Sequence, residues 1–241
     1  MIKKAFEYIV GLSCPTLLEV GCETYSDKPL HRISYVPRAK SIEMNTLSSL
    51  IDYIKSGVDS FCDQMIIHVE SPTKVRMYSA LDCEREREYV VEVNAQLPRF
   101  AFDQFQDHEA FCIGIQSKCV DDPNTDKAIL LKFAGTVEAG SVAEYGDDGV
   151  SQKATVKTGI ASKGEALVPS PAVLKPFRTF VEVEQPVSSF IFRMKEDKYN
   201  NGIQCALFEA DGGAWKIEAM KAIKLYLMNA LEGFDNFIII S

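Results

Sequence analysis

Apolar residues recur at helical spacing in several parts of the chain, and the first such part is residues 47–58. Its apolar residues fall on one face of a helix. Asn45 or Thr46 can cap the first turn, and Gly57 lies near the end, where a C-terminal glycine is expected. The apolar face consists of Leu47, Leu50, Ile51, Ile54 and Val58.

The same reasoning predicts further helices. They are expected over Ile2–Ile9, over His108–Lys118 with Asp107 as the cap, from Thr125 or Asp126 to about Val137, and over Trp215–Leu231. The apolar stripe of the last helix is Ile217, Met220, Ile223, Leu227 and Leu231.

Short runs of alternating or β-branched residues predict strands between these helices. The runs are Met65–Val69, Val75–Leu81, Tyr89–Val93, Ser151–Thr158, Thr179–Glu184, Val187–Met194, Ile203–Glu209 and Phe237–Ile240. The first three follow each other too closely for crossover helices, which predicts an antiparallel meander. Blocks of helices and strands alternate, so we expect an α+β fold whose antiparallel or mixed sheet packs against several helices.

The chain contains no internal repeat and no low-complexity linker, which predicts a single α+β domain over residues 1–241. Gly, Ser and Asp are frequent from Gly140 to Gly164, and the Asp147-Asp148-Gly149 string is a turn signal. This composition predicts a mobile loop around residues 140–170.

The composition is that of a folded globular protein. Of the 241 residues, 46% are apolar and 25% are charged, values that are usual for such proteins. The net charge of −8 works against nucleic-acid binding, because that affinity depends on Lys and Arg side chains that neutralise phosphates. A local basic groove would still bind nucleic acid, so this partner is disfavoured rather than excluded.

The cysteines and the apolar segments bear on the compartment. The seven cysteines are odd in number, none forms a C-x-x-C pair, and several lie in apolar stretches such as residues 110–113. This pattern is typical of reduced cysteines in a reducing compartment. The N-terminus lacks the long apolar stretch of a signal peptide, and no window approaches the length of a membrane span. We therefore expect a cytoplasmic protein that does not contact a membrane.

The sequence lacks the familiar signatures of catalytic and cofactor sites. It contains no G-x-G-x-x-G, no P-loop and no G-x-S-x-G elbow, so no cofactor is predicted. The histidines His31, His68 and His108 are far apart, and no Cys/His cluster has the spacing of a metal site. His68 lies between Ile67 and Val69 in a predicted strand, and we interpret it as a packed or surface residue.

One local pattern combines the groups of a small-anion site. A predicted strand runs through Asp211 into Gly212 and Gly213, and then into a helix that begins near Trp215 and Lys216. Such a turn exposes backbone N–H groups, which favour phosphate or carboxylate, and the Trp and Lys side chains would complete the platform. The alternative is a plain strand-to-helix turn in which Asp211 caps the helix and Trp215 packs, and we favour this alternative.

Arg178 is a second candidate, because it lies close to Phe177 and Phe180 in the sequence. An arginine next to aromatic side chains can stack on a base or bind a phosphate. The structural alternative, which we favour, pairs Arg178 with Glu182 on one face of a predicted strand and places both phenylalanines in or near the core. No residue is assigned a catalytic or metal-binding role.

Several strings in the chain resemble a prophage protein family called YfdQ-like. They are Phe177-Arg178-Thr179-Phe180, Glu184-Gln185-Pro186, Phe190-Ile191-Phe192-Arg193-Met194 and the run from Ala206 to Lys216. Residues 98–116 and 47–54 fit the same pattern, so the resemblance covers most of the chain. The family has no established activity and occurs in phages and integrated prophages, often among early genes. The resemblance implies a phage-encoded protein in the cytoplasm of a bacterial host, and it supplies no catalytic residues.

Three hypotheses for the function follow from these observations. The first, which we favour, is a non-catalytic accessory protein that binds a host or defence-related protein, or a small anionic ligand. A partner with a basic face would suit the negative charge of the chain. The third, which we favour least, is an enzyme whose metal site is built from scattered acids such as Asp82, Glu84 and Asp211. Whether the protein is an enzyme stays open.

The second hypothesis, which ranks ahead of the enzyme, is single-strand nucleic-acid binding in phage recombination or replication. Antiparallel sheets that carry aromatic side chains can stack unpaired bases. The aromatic residues available for this in predicted strands are Tyr78, Tyr89, Phe177 and Phe192.

Self-association is also expected. The segment Phe237–Ile240 consists of four large apolar residues, and an unpaired strand of this kind would promote aggregation. The strand pairs either within its own sheet or with a second subunit, and we favour the first arrangement for the strand itself. A homo-oligomer is still expected, because most soluble oligomers are homo-oligomers and a binding protein gains avidity from repeated sites.

Overall fold

The chain divides into two compact units, Met1–Ala39 and Lys40–Ser241. The computed structural model describes residues 3–5, 8, 11, 15–20, 23–29, 38–61, 63–82, 85–143, 153–157, 163–167, 170–197 and 202–241. The smaller unit contains an antiparallel hairpin of β1 (Leu17–Val20) and β2 (Glu23–Ser26). The predicted helix over Ile2–Ile9 lies partly outside the described residues, among which residues 3–5 and 8 have helical backbone.

The larger unit alternates strands and helices in blocks. Its helices are α1 (Leu47–Ser56), α2 (His108–Lys118), α3 (Lys127–Thr136) and α4 (Ala214–Ala230). Its first strands are β3 (Ile42–Met44), β4 (Met65–Ser71), β5 (Lys74–Ser79), β6 (Tyr89–Asn94) and β7 (Gln106–Asp107). Its later strands are β8 (Val137–Ala143), β9 (Lys153–Lys157), β10 (Lys163–Leu167), β11 (Ala172–Leu174), β12 (Ser188–Asp197), β13 (Gly202–Glu209) and β14 (Phe237–Ile240).

These strands form three sheets. The five-stranded sheet has the order β14-β4-β5-β6-β3, in which β4, β5 and β6 are the predicted antiparallel meander and the two outer strands run parallel to their neighbours. The four-stranded sheet β11-β12-β13-β7 is antiparallel throughout, as is the three-stranded sheet β10-β9-β8. The predicted α+β fold with antiparallel and mixed sheets is confirmed.

Local sequence signals account for the ends of α1 and α2. The Thr46 side chain accepts a hydrogen bond from the Ser49 N–H at 3.1 Å, and Gly57 ends α1 in the left-handed conformation with a φ of 62°. Val58 follows that glycine and is 72% exposed, so its predicted place on the apolar face was wrong. At α2, Asp107 caps the helix as predicted, because its carboxylate accepts the backbone N–H groups of the first turn.

Two hydrophobic clusters lie in the larger unit. The first cluster joins one face of the five-stranded sheet to α1 and α4. Along β4 every second residue belongs to it, namely Met65, Ile67 and Val69. His68, which alternates with these residues, points to the opposite face of the sheet. The second cluster joins the four-stranded sheet to α2 and α3 through the fully buried Phe111, Phe190 and Phe192. Because α1 and α4 both pack on one face of the five-stranded sheet, the other face carries half-buried and exposed residues.

The buried face of α4 differs from the predicted stripe at its first turn. Ala219, Ile223, Leu227 and Leu231 are buried, whereas Ile217 is 60% exposed. Ile217 precedes Ala219 by two residues, which at 3.6 residues per turn places it on the far side of the helix. The rest of the stripe is confirmed.

Residues 179–184 do not form the predicted strand. The backbone there is irregular, and the N–H groups of Thr179 and of the preceding Arg178 donate to the side-chain oxygen of Gln185 at 3.1 and 2.9 Å. These groups are therefore not available to a sheet ladder. The neighbouring strand prediction, Val187–Met194, is confirmed by β12.

The region of the predicted mobile loop contains regular structure. Strands β9 and β10 lie within residues 140–170, and β8 ends there. The turn signal at residues 147–149 lies outside the described residues. The strand predicted over Ser151–Thr158 corresponds to β9.

Candidate functional site

The irregular segment of residues 175–187, between β11 and β12, carries four of the six buried polar or charged residues in the described part of the chain. Gln185 is the centre of its hydrogen bonds. Its side-chain oxygen accepts the two N–H groups named above. Its amide nitrogen lies within hydrogen-bonding distance of the carbonyls of Thr179, Phe180 and Val183, at 3.3, 3.0 and 3.3 Å. The Thr179 hydroxyl donates to the Pro72 carbonyl at 2.6 Å. Side-chain bonds thus hold most of the segment, while its first residues bond through their backbone to Lys118 and Val120.

Arg178 is the most deeply buried charge in this segment, with 6% of its surface exposed. Its guanidinium donates to Glu209 Oε1 at 2.6 Å and to the Ser188 hydroxyl. The predicted pairing with Glu182 was therefore wrong. That pairing assumed a strand, and the irregular backbone directs Arg178 towards the end of β13 instead.

Arg178 also stacks on aromatic rings. Its guanidinium carbon lies 4.1 Å from the ring centroid of Trp215, 5.3 Å from that of Phe190 and 5.5 Å from that of Phe102. A cation held over aromatic rings at such distances is stabilised by the ring quadrupoles. The sequence offered Arg178 and the turn before α4 as separate candidates, but they belong to one cluster. We call it the Arg178 cluster, and it consists of Arg178, Ser188, Glu209, Asp211, Trp215, Phe102 and Phe190.

The glycines at the start of α4 have the left-handed backbone that glycine favours. Gly212 has a φ of 63° and Gly213 a φ of 82°. Gly213 occupies the N-cap position, so the cap residue supplies no side-chain acceptor for the first turn of α4. The prediction that Asp211 caps the helix was wrong. Its carboxylate accepts the Gly213 N–H at 3.0 Å and so closes the turn before the helix. The Lys216 ammonium lies 5.8 Å from the Trp215 ring centroid.

Two carboxylates balance the guanidinium in the Arg178 cluster. Burial lowers the pKa of Arg178, while the charges of Glu209 and Asp211 act to raise it. Burial alone would raise the pKa of Asp211, but bonds from Ser188 and the Gly213 N–H, together with the charge of Arg178, bring it below its ordinary value. An incoming anion would have to compete with these carboxylates for the guanidinium. Anion binding at this turn stays a prediction.

Hydrogen-bonding capacity remains inside the Arg178 cluster. Arg178 Nε, Trp215 Nε1 and Asp211 Oδ2 are buried and have no hydrogen-bond partner among the described atoms. Two of these atoms are donors and one is an acceptor. The guanidinium is held by its terminal nitrogens alone, so the position of Arg178 depends on Glu209, Ser188 and the aromatic rings.

A second feature, which sequence reasoning missed, is a cap on α1 that comes from the irregular segment. Glu182 Oε1 accepts the Leu47 N–H at 2.8 Å and the Ser48 N–H at 3.4 Å, and a carboxylate at a helix N-terminus also interacts well with the helix dipole. A cavity of about 230 Å³ adjoins it, lined by Asn45, Thr46, Ala95, Gln96, Phe180, Val181 and Glu182. The two partners are 135 residues apart, so no local pattern could have indicated the contact.

The open face of the five-stranded sheet carries two of the predicted aromatics. The rings of Tyr78 and Tyr89 lie 5.5 Å apart, and the guanidinium carbon of Arg76 lies 5.5 Å from the Tyr89 ring centroid. Glu92 binds Arg76 Nε at 3.1 Å and Lys74 Nζ at 2.9 Å, and it accepts a bond from the Tyr89 hydroxyl. We call these five residues the tyrosine patch.

The other two predicted aromatics do not join the tyrosine patch. Phe192 is fully buried in the second hydrophobic cluster. Phe177 is half-buried and lies in the irregular segment outside any strand.

The described cysteines are small core side chains. Cys112, Cys119 and Cys205 are free, as expected, and burial raises the pKa of Cys119 to about 11 and that of Cys205 to about 12. The His108 ring lies 2.8 Å from the Ala134 carbonyl and 3.7 Å from Cys112 Sγ. Four cysteines, Cys14, Cys22, Cys62 and Cys83, lie outside the described residues.

The described part of the chain shows neither a cluster of metal ligands nor a membrane-spanning helix. There, no three His, Cys, Asp or Glu side chains are close enough to hold a metal ion. Glu84 of the acidic-site hypothesis and His31 lie outside that part. No described helix is long and apolar enough to cross a membrane.

The fold and these clusters define an α+β protein. Comparisons with protein-family models, with curated proteins and with solved structures find no match to the chain. The resemblance to the YfdQ-like family therefore stays a prediction that rests on the sequence strings.

Proposed function

We propose that this is a phage- or prophage-encoded accessory protein of the bacterial cytoplasm that acts without catalysis, by binding a host or defence-related protein through the tyrosine patch. The observation that carries the proposal is that α1 and α4 pack on one face of the five-stranded sheet and leave Tyr78 and Tyr89 half-exposed on the other. Tyrosine and arginine are enriched among the residues that dominate protein–protein binding energy.

The tyrosine patch is fixed in position before any partner arrives. Tyr89 is bonded to Glu92, and Arg76 is held by Glu92 on one side and by Glu70 at 2.9 Å on the other. Side chains that are already ordered lose little conformational entropy when they bind. This favours recognition of a protein surface by a rigid patch.

The bonds within the Arg178 cluster favour a structural role for it rather than a catalytic one. Its guanidinium is bonded to Glu209 and Ser188 and stacked on Trp215. A group that is committed to structural bonds is not free to bind a reacting substrate. We therefore assign the Arg178 cluster to stability and the tyrosine patch to recognition.

Site-specific photo-crosslinking in host cells tests this proposal. A photoreactive phenylalanine analogue replaces Tyr78 in one variant and Ile113, an exposed residue of α2, in the control variant. We expect a covalent adduct with a host protein at position 78 and none at position 113. Once the adduct is identified, Tyr78→Ala with Tyr89→Ala should weaken its binding at least about tenfold. Equal adducts at both positions, or unchanged affinity in a folded double variant, would contradict the proposal.

Single-strand nucleic-acid binding is the second candidate, and the neighbouring side chains of Tyr78, Tyr89 and Arg76 favour it. Glu92 opposes it, because it neutralises Arg76 and Lys74. A gel-shift titration with an oligonucleotide at low salt separates the candidates. Binding that weakens with salt and strengthens in Glu92→Gln would support this function. If neither the wild type nor Glu92→Gln shifts the oligonucleotide at micromolar protein concentrations, nucleic-acid binding is excluded.

A further inference from the structure

Strand β14 forms one edge of the five-stranded sheet, and no other described strand pairs with that edge. In the described part of the chain its strand partner is β4 alone, and its four residues are Phe237, Ile238, Ile239 and Ile240. Proteins normally protect such edges with charged residues, proline or bulges. This strand has none of these, and Ile238 and Ile240 are each 43% exposed.

The backbone of β14 offers a regular set of groups at its free edge. The Asn236 carbonyl accepts the Met65 N–H at 2.8 Å, so it faces β4. Along a strand, successive residues direct their N–H and C=O groups to opposite sides. Ile239 therefore directs both its N–H and its C=O away from β4, and so do the Phe237 carbonyl and the Ser241 N–H.

The opposite edge of the same sheet is protected. It is formed by β3, which has three residues and carries the charged, exposed Glu43 at its centre. Short edge strands and charged edge residues discourage pairing. Pairing of β14 with β3 of another molecule, which would continue without limit, is thus opposed at β3.

We infer that β14 pairs antiparallel with β14 of a second copy of this chain, across a two-fold axis at Ile239. In this register each Ile239 donates its N–H to the Ile239 carbonyl of the other copy, and each Ser241 N–H donates to the other Phe237 carbonyl. Ile238 of one copy lies opposite Ile240 of the other, in the closer, non-hydrogen-bonded type of pair. The interface is self-complementary and closed, as a two-fold dimer requires.

This inference is independent of the proposed function, because Tyr78 and Tyr89 lie on β5 and β6. Analytical ultracentrifugation tests it. The wild type should approach twice the 26.9 kDa chain mass as its concentration rises. Ile240→Lys places like charges across the axis and should sediment as a monomer at the same concentration. Leu225→Lys, the same change at an exposed residue of α4, should remain dimeric.

Amide hydrogen exchange supplies a second measurement that does not depend on a charged variant. The Ile239 amide should exchange at least about tenfold more slowly in concentrated than in dilute wild-type protein, whereas the Ile238 amide, which faces β4, should not change. Ser241→Pro removes one edge donor from each copy, so this variant should be more monomeric than the wild type at the same concentration. A wild-type monomer at all soluble concentrations, a dimer that persists in folded Ile240→Lys, or open-ended polymers would overturn the inference.

Discussion

The guanidinium of Arg178 stacks on the indole of Trp215, with 4.1 Å between the guanidinium carbon and the ring centroid. This contact joins the irregular segment before β12 to the first turn of α4. Trp215 is only half-buried, so its main structural role is to cover the arginine.

Replacing Trp215 tests that role. Trp215→Ala removes the ring plane and should lower the free energy of unfolding by about 2–4 kcal/mol. Trp215→Phe keeps a ring and should cost about half as much or less, since Nε1 of the indole has no acceptor among the described atoms. Urea denaturation measures both. Equal losses in the two variants would show that stacking is not what stabilises the cluster.

Gln185 cannot be replaced by its acidic analogue. In Gln185→Glu a carboxylate oxygen faces the three carbonyls that now lie near the amide nitrogen. The repulsion at this buried position should cost about 3 kcal/mol or more at neutral pH. Gln116→Glu makes the same change at an exposed position of α2 and should stay within about 0.5 kcal/mol of wild type. Chemical denaturation of both variants checks the difference.

Two glycines at which an added Cβ would meet no clash, Gly213 and Gly135, differ in backbone conformation and so test the effect of backbone strain. An added Cβ at Gly213 would meet only Lys216 Cδ, at 3.9 Å, but φ there is +82°. Gly213→Ala should therefore destabilise the protein by about 1–2 kcal/mol through backbone strain alone. Gly135→Ala, in α3 with no atom within 4 Å of the added Cβ, should stabilise it by up to about 1 kcal/mol. Thermal unfolding of the two variants should thus shift in opposite directions.

Glu92 should make stability depend on pH below 5. Hydrogen bonds from Asn94, Tyr89 and Lys74 lower the pKa of Glu92 from 4.5 to about 2. The folded state favours the charged form, so this contribution is complete above the ordinary pKa and is lost as pH falls towards 2.

Thermal unfolding of Glu92→Gln between pH 2 and 6 checks this expectation. The variant should show a weaker dependence on pH than the wild type, whereas Glu218→Gln, on the exposed side of α4, should keep the wild-type dependence. If Glu92→Gln and the wild type lose stability in parallel, Glu92 is not the group responsible.

Features with local causes were predicted well from the sequence. The ends of α1 follow from Thr46 and Gly57, and the buried face of β4 follows from its alternation. Residues 179–184 were mispredicted because Thr179, Val181 and Val183 also alternate, while the side chain that breaks the ladder, Gln185, has no strand or turn signature.

The candidate site could be predicted only in part. Arg178, Asp211 and Trp215 were singled out one by one, but the sequence could not show that they meet. Their contacts depend on how β12 and β13 bring distant segments together. The cap that Glu182 provides for α1 is a contact of the same kind.

The irregular segment contributes Phe180 and Val183 to the first hydrophobic cluster, and Leu174 just before it belongs to the second. The bonds of Gln185 and Thr179 fix the segment that links the two clusters, so we expect the opening of one cluster to disturb the other. The larger unit should therefore unfold in one cooperative transition. The slowest-exchanging amides of β4 and β12 should share a single opening free energy, equal to that of global unfolding.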